Sequence, residues 1–262
     1  MYGLSPEVVI AADGPIRIIT LNRPDDLNGV NRAMHQALAR VWDHLADDAG
    51  ARAVVLTGQG SNFSAGGDFG YMQENIDDEA LRVQTIDEAR SIVTGIVRCP
   101  LPVVAAVNGP AVGLGCSLAV LSDLVLMADT SFLADPHLRM GLVPGDGGMV
   151  WPLLAGLSRA KEFLFLGERI SAPQAVQLGL ASRVVAADEL MPEAINLAKR
   201  LAKVPAAALR GTKRALNSYV EAQLPGAFER AFAGELESMH SPEHRDSVAA
   251  ARDRAAKRHA PQ

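Results

Sequence analysis

Apolar positions along the chain follow two periods, and they change places several times. Asp13-Gly14-Pro15 separates Val8-Val9-Ile10 from an apolar run that ends at Leu21, which predicts a β-hairpin over residues 7–21. Met34, Leu38, Val41, Trp42 and Leu45 then fall on one face of a helix over 31–46. His35 and His44 on that helix read as surface residues, and Trp42, like Trp151 further on, reads as core. An unbroken apolar strand follows at 53–57, and a longer helix over 77–98 is ended by Pro100. A second buried strand runs to Val107, with a short buried helix over 116–121 and brief strands at 124–127 and 131–133. Residues 160–166 are helical up to Gly167, and Ser171 caps another helix that stops at Gly179.

Strands alternating with helices predict an α/β core with mainly parallel pairing. After Asp188 the strands cease. Residues 189–203, 206–220, 225–238 and 242–259 all read as helices. The chain therefore divides into a core over 1–187 and a helical region over 188–262. Apolar stripes with nothing local to cover them call for a partner.

Composition narrows the function. A chain of 262 residues with 48% hydrophobic content holds one large domain, or a domain with an appendage. A net charge of −5 argues against nucleic acid, which usually leaves a basic footprint. No apolar run reaches the roughly 18 residues of a membrane span. The first residues, Met1-Tyr2-Gly3-Leu4, carry neither the basic nor the apolar part of a secretory signal. A cytoplasmic protein with Cys99 and Cys116 as reduced core thiols is expected. His240 and His244 lack the His-Glu-x-x-His order and Pro242 lies between them, so no metal site is expected.

Two glycine-rich turns carry the candidate chemistry. Asn62-Phe63-Ser64-Ala65-Gly66-Gly67-Asp68 follows the first buried strand, and Asn108-Gly109-Pro110-Ala111-Val112-Gly113-Leu114-Gly115 follows the second. Neither contains the Gly-Lys-Ser/Thr of a P-loop, and Leu118 stands where a dinucleotide fingerprint needs its third glycine. Glycine lets another group approach main-chain N–H donors closely. Two such loops can aim two donors at one point, an oxyanion hole for a carbonyl oxygen that gains negative charge.

The wording of these loops closely resembles the two oxyanion motifs of the crotonase superfamily, the enoyl-CoA hydratases and isomerases. Leu21-Asn22-Arg23-Pro24, Arg169-Ile170-Ser171-Ala172 and Gly179-Leu180 resemble that superfamily too, so the likeness runs from about Val8 to Val185. It implies a spiral of ββα units, C-terminal helices that pack between subunits, and a homotrimer or a dimer of trimers. It also implies an acyl-CoA substrate, with coenzyme A as thioester carrier and no separate cofactor. The oxyanion donors map to the N–H groups of Gly67 and Leu114. The backbone from Ala65 through Gly66 and Gly67 to Asp68 would border the adenine and pantetheine. Arg23, with Arg254, Lys257 and Arg258, would meet the CoA phosphates.

The sequence departs from the hydratases at two points. Their two glutamates map to Ser117 and His137, which implies weak turnover of a short enoyl-CoA. Asp135-Pro136-His137 precedes a Gly/Pro-rich turn that can return Asp146 to His137, where a carboxylate would orient the ring and raise its basicity. That pair resembles a branch of β-diketone hydrolases that cleave a C–C bond, although those carry a further histidine where this chain has Gly115. An acyl-CoA hydratase/isomerase-type enzyme, a C–C hydrolase using His137 and Asp146, and a silent CoA binder are the three readings.

Overall fold

The computed structural model describes residues 2–259, and side chains through residue 255. The chain opens with β1 (Val8–Asp13), β2 (Ile16–Leu21), α1 (Arg32–Ala46) and β3 (Ala53–Gly58). Then come α2 (Phe69–Asp77), α3 (Glu79–Arg98), β4 (Val103–Val107), β5 (Ala111–Val112) and α4 (Leu114–Val120). They are followed by β6 (Leu124–Ala128), β7 (Phe132–Ala134), α5 (Trp151–Ala155), α6 (Leu157–Leu166), β8 (Ile170–Ser171), α7 (Ala172–Leu178) and β9 (Arg183–Val185). The last elements are α8 (Leu190–Ala202), α9 (Ala206–Glu221), α10 (Glu229–Ser238) and α11 (Pro242–His259).

Six strands form one sheet in the order β1-β2-β3-β4-β6-β9, parallel except for the β1–β2 hairpin. Both faces are buried, which is why β3 and β4 read as continuous apolar runs. Val54, Leu56, Val103, Ala105 and Val107 point into the larger core with α1 and α3. The alternate residues Ala53, Val55, Val104 and Ala106 point to the other face, where Leu190, Ala194, Leu197 and Ala198 of α8 cover them. This α8 packing corrects the expectation that every terminal helix lacks a local partner. A smaller sheet, β5-β7-β8, takes its first strand from the second glycine loop.

The hairpin, α1 and the two central strands stand close to where their periodicity puts them. The expected helix over 77–98 stands as α3, and a further helix, α2, precedes it, because the Asp68 side chain caps α2 by accepting from the Gly70 and Tyr71 N–H groups at 2.8 and 3.2 Å. Asp78 then breaks the run with extended dihedrals and caps α3. α4 starts at Leu114, two residues ahead of the expected start. Cys99 and Cys116 are both buried and free. No described helix is long and apolar enough to cross a membrane.

Candidate active site

Both loops leave the ends of parallel strands, and side-chain amides lock them to one another. Asn108 donates to the carbonyls of Gly58 and Gly60 at 3.0 and 2.8 Å and accepts from the Gly58 N–H at 3.1 Å. Asn28 donates to the carbonyls of Gln59 and Asn62 at 2.9 and 2.8 Å. Single-residue bridges join Val30 to Gly67 and Ser64 to Ala111. At Gly113 the backbone turns with φ 53° and ψ −124°, a conformation that an L side chain enters only under strain. A Cβ there would sit 3.7 Å from the Gly66 Cα and 3.8 Å from the His137 Cε1. The two loops and the imidazole therefore meet at one place.

Hydrogen bonds among the described residues occupy the neighbouring donors. Gly66 N–H goes to the Ser64 hydroxyl, Asp68 N–H to Val30 O and Gly113 N–H to Ala134 O. The N–H groups of Gly67 and Leu114 have no acceptor among the described residues. Leu114 begins α4, where the first N–H groups of a helix lack an internal partner. Both residues line one cavity of about 280 Å³ together with Ala65, Gly66, His137, Asp146 and Glu235.

Beside the loops lies a cluster of three buried carboxyls and one half-buried imidazole. His137 Nδ1 bonds the Asp135 carboxylate two residues before it, because Pro136 turns the chain so that Asp135 folds onto its own neighbour. Asp146 does return to His137, as the Gly/Pro turn predicts, with its Oδ2 3.7 Å from Nε2. That is an ion-pair separation, so the orienting hydrogen bond assigned to Asp146 from sequence belongs to Asp135. Asp146 Oδ1 instead accepts from the Ser117 hydroxyl at 2.8 Å.

Glu235 of α10 completes the cluster and is absent from the sequence-based candidates. It is buried, and its Oε2 has no hydrogen-bond partner. The Gly145 backbone presses against it so closely that a Cβ at 145 would lie 2.2 Å from Oε2. Ser117 and His137 occupy the two positions of the hydratase glutamates, and Asp146 and Glu235 bring two carboxyls to the same cavity from other positions. Burial opposes a charge on His137, but the Asp135 and Asp146 carboxylates outweigh that cost and raise its pKa to about 10. Burial, with the Asp146 charge, pushes Glu235 up to about 8. Burial also raises Asp146.

The remaining candidates sit elsewhere. The Arg23 guanidinium turns inward, reaching Asp26 at 2.7 Å, Asp68 at 3.2 Å and the Gly29 carbonyl. Arg254 is exposed on α11, and the side chains of Lys257 and Arg258 lie outside the described residues. Trp42 and Trp151 are buried in the core. His35 is not on the surface but 5% exposed, on the cavity wall. His244 is buried as well, with Nδ1 2.6 Å from the Met140 carbonyl. No group of three or more His, Cys, Asp or Glu among the described residues is placed to hold a metal ion.

A parallel α/β core with two glycine loops converging on one cavity defines a class of acyl-group enzyme scaffold. The model of the enoyl-CoA hydratase/isomerase family matches residues 12–261, and the chain belongs to that family, within the crotonase superfamily. It is 34% identical over 226 residues to a probable enoyl-CoA hydratase of Rhodobacter capsulatus, covering 84% of this chain and 86% of that protein. It is 32% identical over 219 residues to the 2,3-dehydroadipyl-CoA hydratase of Escherichia coli, covering 83% and 84%. The crystal structure of an enoyl-CoA hydratase/isomerase from Mycobacterium paratuberculosis superimposes with a TM-score of 0.93 at 50% identity, over 95% of this chain and all of that one. The chain is an enzyme of the acyl-CoA-processing, hydratase/isomerase type.

Proposed function

We propose that this enzyme is a lyase that holds an acyl-CoA thioester oxygen between the N–H groups of Gly67 and Leu114, and moves protons at the neighbouring carbons with the buried cluster. The observation that carries this reading is the pair of unengaged N–H groups in the same cavity as Asp146, His137 and Glu235. Adding or removing a proton next to a thioester carbonyl builds negative charge on its oxygen. Each donor aimed at that charge is worth about 3–4 kcal/mol in the transition state.

The cluster divides the proton work by environment. At neutral pH Glu235, raised to about 8, keeps its proton and serves as the acid. Asp146, a carboxylate with raised pKa, serves as the base, with the Ser117 hydroxyl fixing its direction. Hydration then balances: Asp146 takes a proton from water as oxygen adds at the β-carbon, and Glu235 delivers one to the α-carbon. Protonated His137 adds positive charge beside the developing enolate, and Asp135 orients its ring. Ala65, Gly66 and Asp68 border the carrier. Arg23 braces the first loop.

A second reading, hydrolysis of a C–C bond in a β-dicarbonyl compound, is favoured by the imidazole flanked by two carboxylates. Mass-spectrometric product analysis separates the readings. Conversion of crotonyl-CoA to 3-hydroxybutyryl-CoA supports the first. Ring opening of 1,3-cyclohexanedione without any enoyl-CoA turnover would replace it with the second. No turnover of either compound would leave a silent CoA binder.

A further inference from the structure

The cavity has a second polar wall that the proton chemistry does not use. α1 starts just after Val30, which bridges to Gly67, and α2 starts just after Asp68. His35, one turn into α1, therefore faces Tyr71 of α2, with ring centroids 5.7 Å apart. His35, Tyr71 and Asn75 all line the cavity that holds the oxyanion donors.

The hydrogen bonds behind this wall run in one direction. Asn75 spends its amide on the Tyr71 carbonyl at 2.9 Å, so its Oδ1 is left to accept, and the Thr85 hydroxyl donates to it at 2.7 Å. Thr85 Oγ1 has then given up its only proton. The Tyr71 hydroxyl, 2.7 Å from Thr85 Oγ1, must be the donor in that pair. What Tyr71 Oη has left to offer is lone pairs. His35 is similar. Its Nδ1 lies 2.8 Å from Glu88 Oε2. Burial works against the Glu88 charge, but hydrogen bonds from His35 and from Gln84 outweigh it and hold the carboxyl below its ordinary value. An ionised carboxylate only accepts, so Nδ1 carries the proton, and a neutral imidazole bonded in this way has its lone pair on Nε2. Nε2 has no protein partner among the described residues, although the side chain is only 7% exposed.

We infer that this wall is a subsite for a hydrogen-bond donor on the substrate, a hydroxyl group carried on the acyl chain beyond the reacting carbons, whose single proton is shared between His35 Nε2 and Tyr71 Oη. The inference rests on the acyl-CoA reading above. A plain alkyl chain would leave both acceptors unmet against a largely apolar cavity wall, and unmet polar groups are the strongest basis on which a site rejects an analogue.

Calorimetric titration tests it with matched CoA thioesters of four to eight carbons, saturated so that no turnover intervenes, each as the ω-hydroxy and the plain alkyl form. At one chain length the hydroxy ester should bind about tenfold tighter, as one well-made hydrogen bond allows. His35→Phe and Tyr71→Phe should each erase that preference. If His35→Phe fails to fold, because His35 also ties α1 to α3, Tyr71→Phe keeps its ring packing and decides the matter. Equal binding of the two forms at every length, or a preference that survives Tyr71→Phe, overturns the subsite and leaves the acyl-CoA reading standing. Binding of no thioester at all overturns that reading, and the subsite with it.

Discussion

Replacing Glu235 by glutamine should change how stability depends on pH. Glu235 is 6% exposed, has one carboxylate oxygen without a partner, and keeps its proton up to about pH 8 rather than its ordinary 4.5. Between those two values the folded protein holds a proton that the unfolded chain has released. A group raised in the folded state contributes stability fully below its unfolded pKa and loses it as pH rises through the folded one. The slope is about 1.4 kcal/mol per pH unit for one proton, so the loss across the window is about 5 kcal/mol. Glutamine cannot ionise and removes this slope. Any constant packing penalty from its amide cancels when one variant is compared with itself across pH. Urea unfolding of wild type and Glu235→Gln from pH 5 to 8 reads the effect directly: the two ΔG curves should converge at pH 5 and separate by several kcal/mol at pH 8, the variant being the more stable there relative to its own pH 5 value. Parallel curves would show that Glu235 ionises normally and is not the acid. His137, raised to about 10, gives a second falling limb from 6.5 to 10 that Glu235→Gln leaves in place.

Other outcomes follow from the same geometry. Ser117→Ala removes a hydrogen bond that holds Asp146 down, so the acidic limb of the pH–rate profile should move to higher pH; an unmoved limb would separate Asp146 from the rate. His137→Asn should lower turnover by about 10²–10⁴-fold with acyl-CoA binding retained, and full turnover would remove it from the chemistry. Gly113→Ala, forced to φ 53°, should displace the Leu114 N–H and cost about 10²-fold in kcat, read by steady-state kinetics; an unchanged kcat would mean that this donor is idle. Leu153, Leu157, Leu216 and Tyr219 are 44–69% exposed, and Leu153, Leu216 and Tyr219 line a shared groove. We propose that this surface is covered in a homotrimer or a dimer of trimers. Light scattering that reports a 27.7 kDa species would contradict the proposal.

The loops were legible in the sequence because their signal is local: a β-branched buried run, then glycines whose spacing the backbone requires. Mainly parallel pairing followed from the alternation of strands and helices, whereas the order of the strands in the sheet did not. Asp146 was legible as a neighbour of His137 because a short Gly/Pro turn joins them. Glu235 was not, since it reaches the cluster from a helix some 90 residues later and looks in sequence like any charge on a helix face. Asp135 was visible yet read as a flank, because the competition between two carboxylates for one imidazole is settled by the Pro136 turn. His35 carried a signal that periodicity could have caught: His35, Leu38, Trp42 and Leu45 are spaced for one helix face, and all four are buried. α2 was hidden because its start depends on the Asp68 cap inside the loop rather than on an apolar stripe.

The central claim is that Gly67 and Leu114 stabilise an enolate next to the proton-carrying cluster. Butyryl-CoA in D₂O tests this most directly, because it has α-protons but no double bond to hydrate. The ionised fraction of Glu235 should take the α-proton and wash deuterium into the α-carbon, seen by mass spectrometry as an exchange that quickens as pH rises towards 8. Glu235→Gln and Gly113→Ala should slow the exchange. Butyryl-CoA that is shown to bind but gains no deuterium would contradict the account.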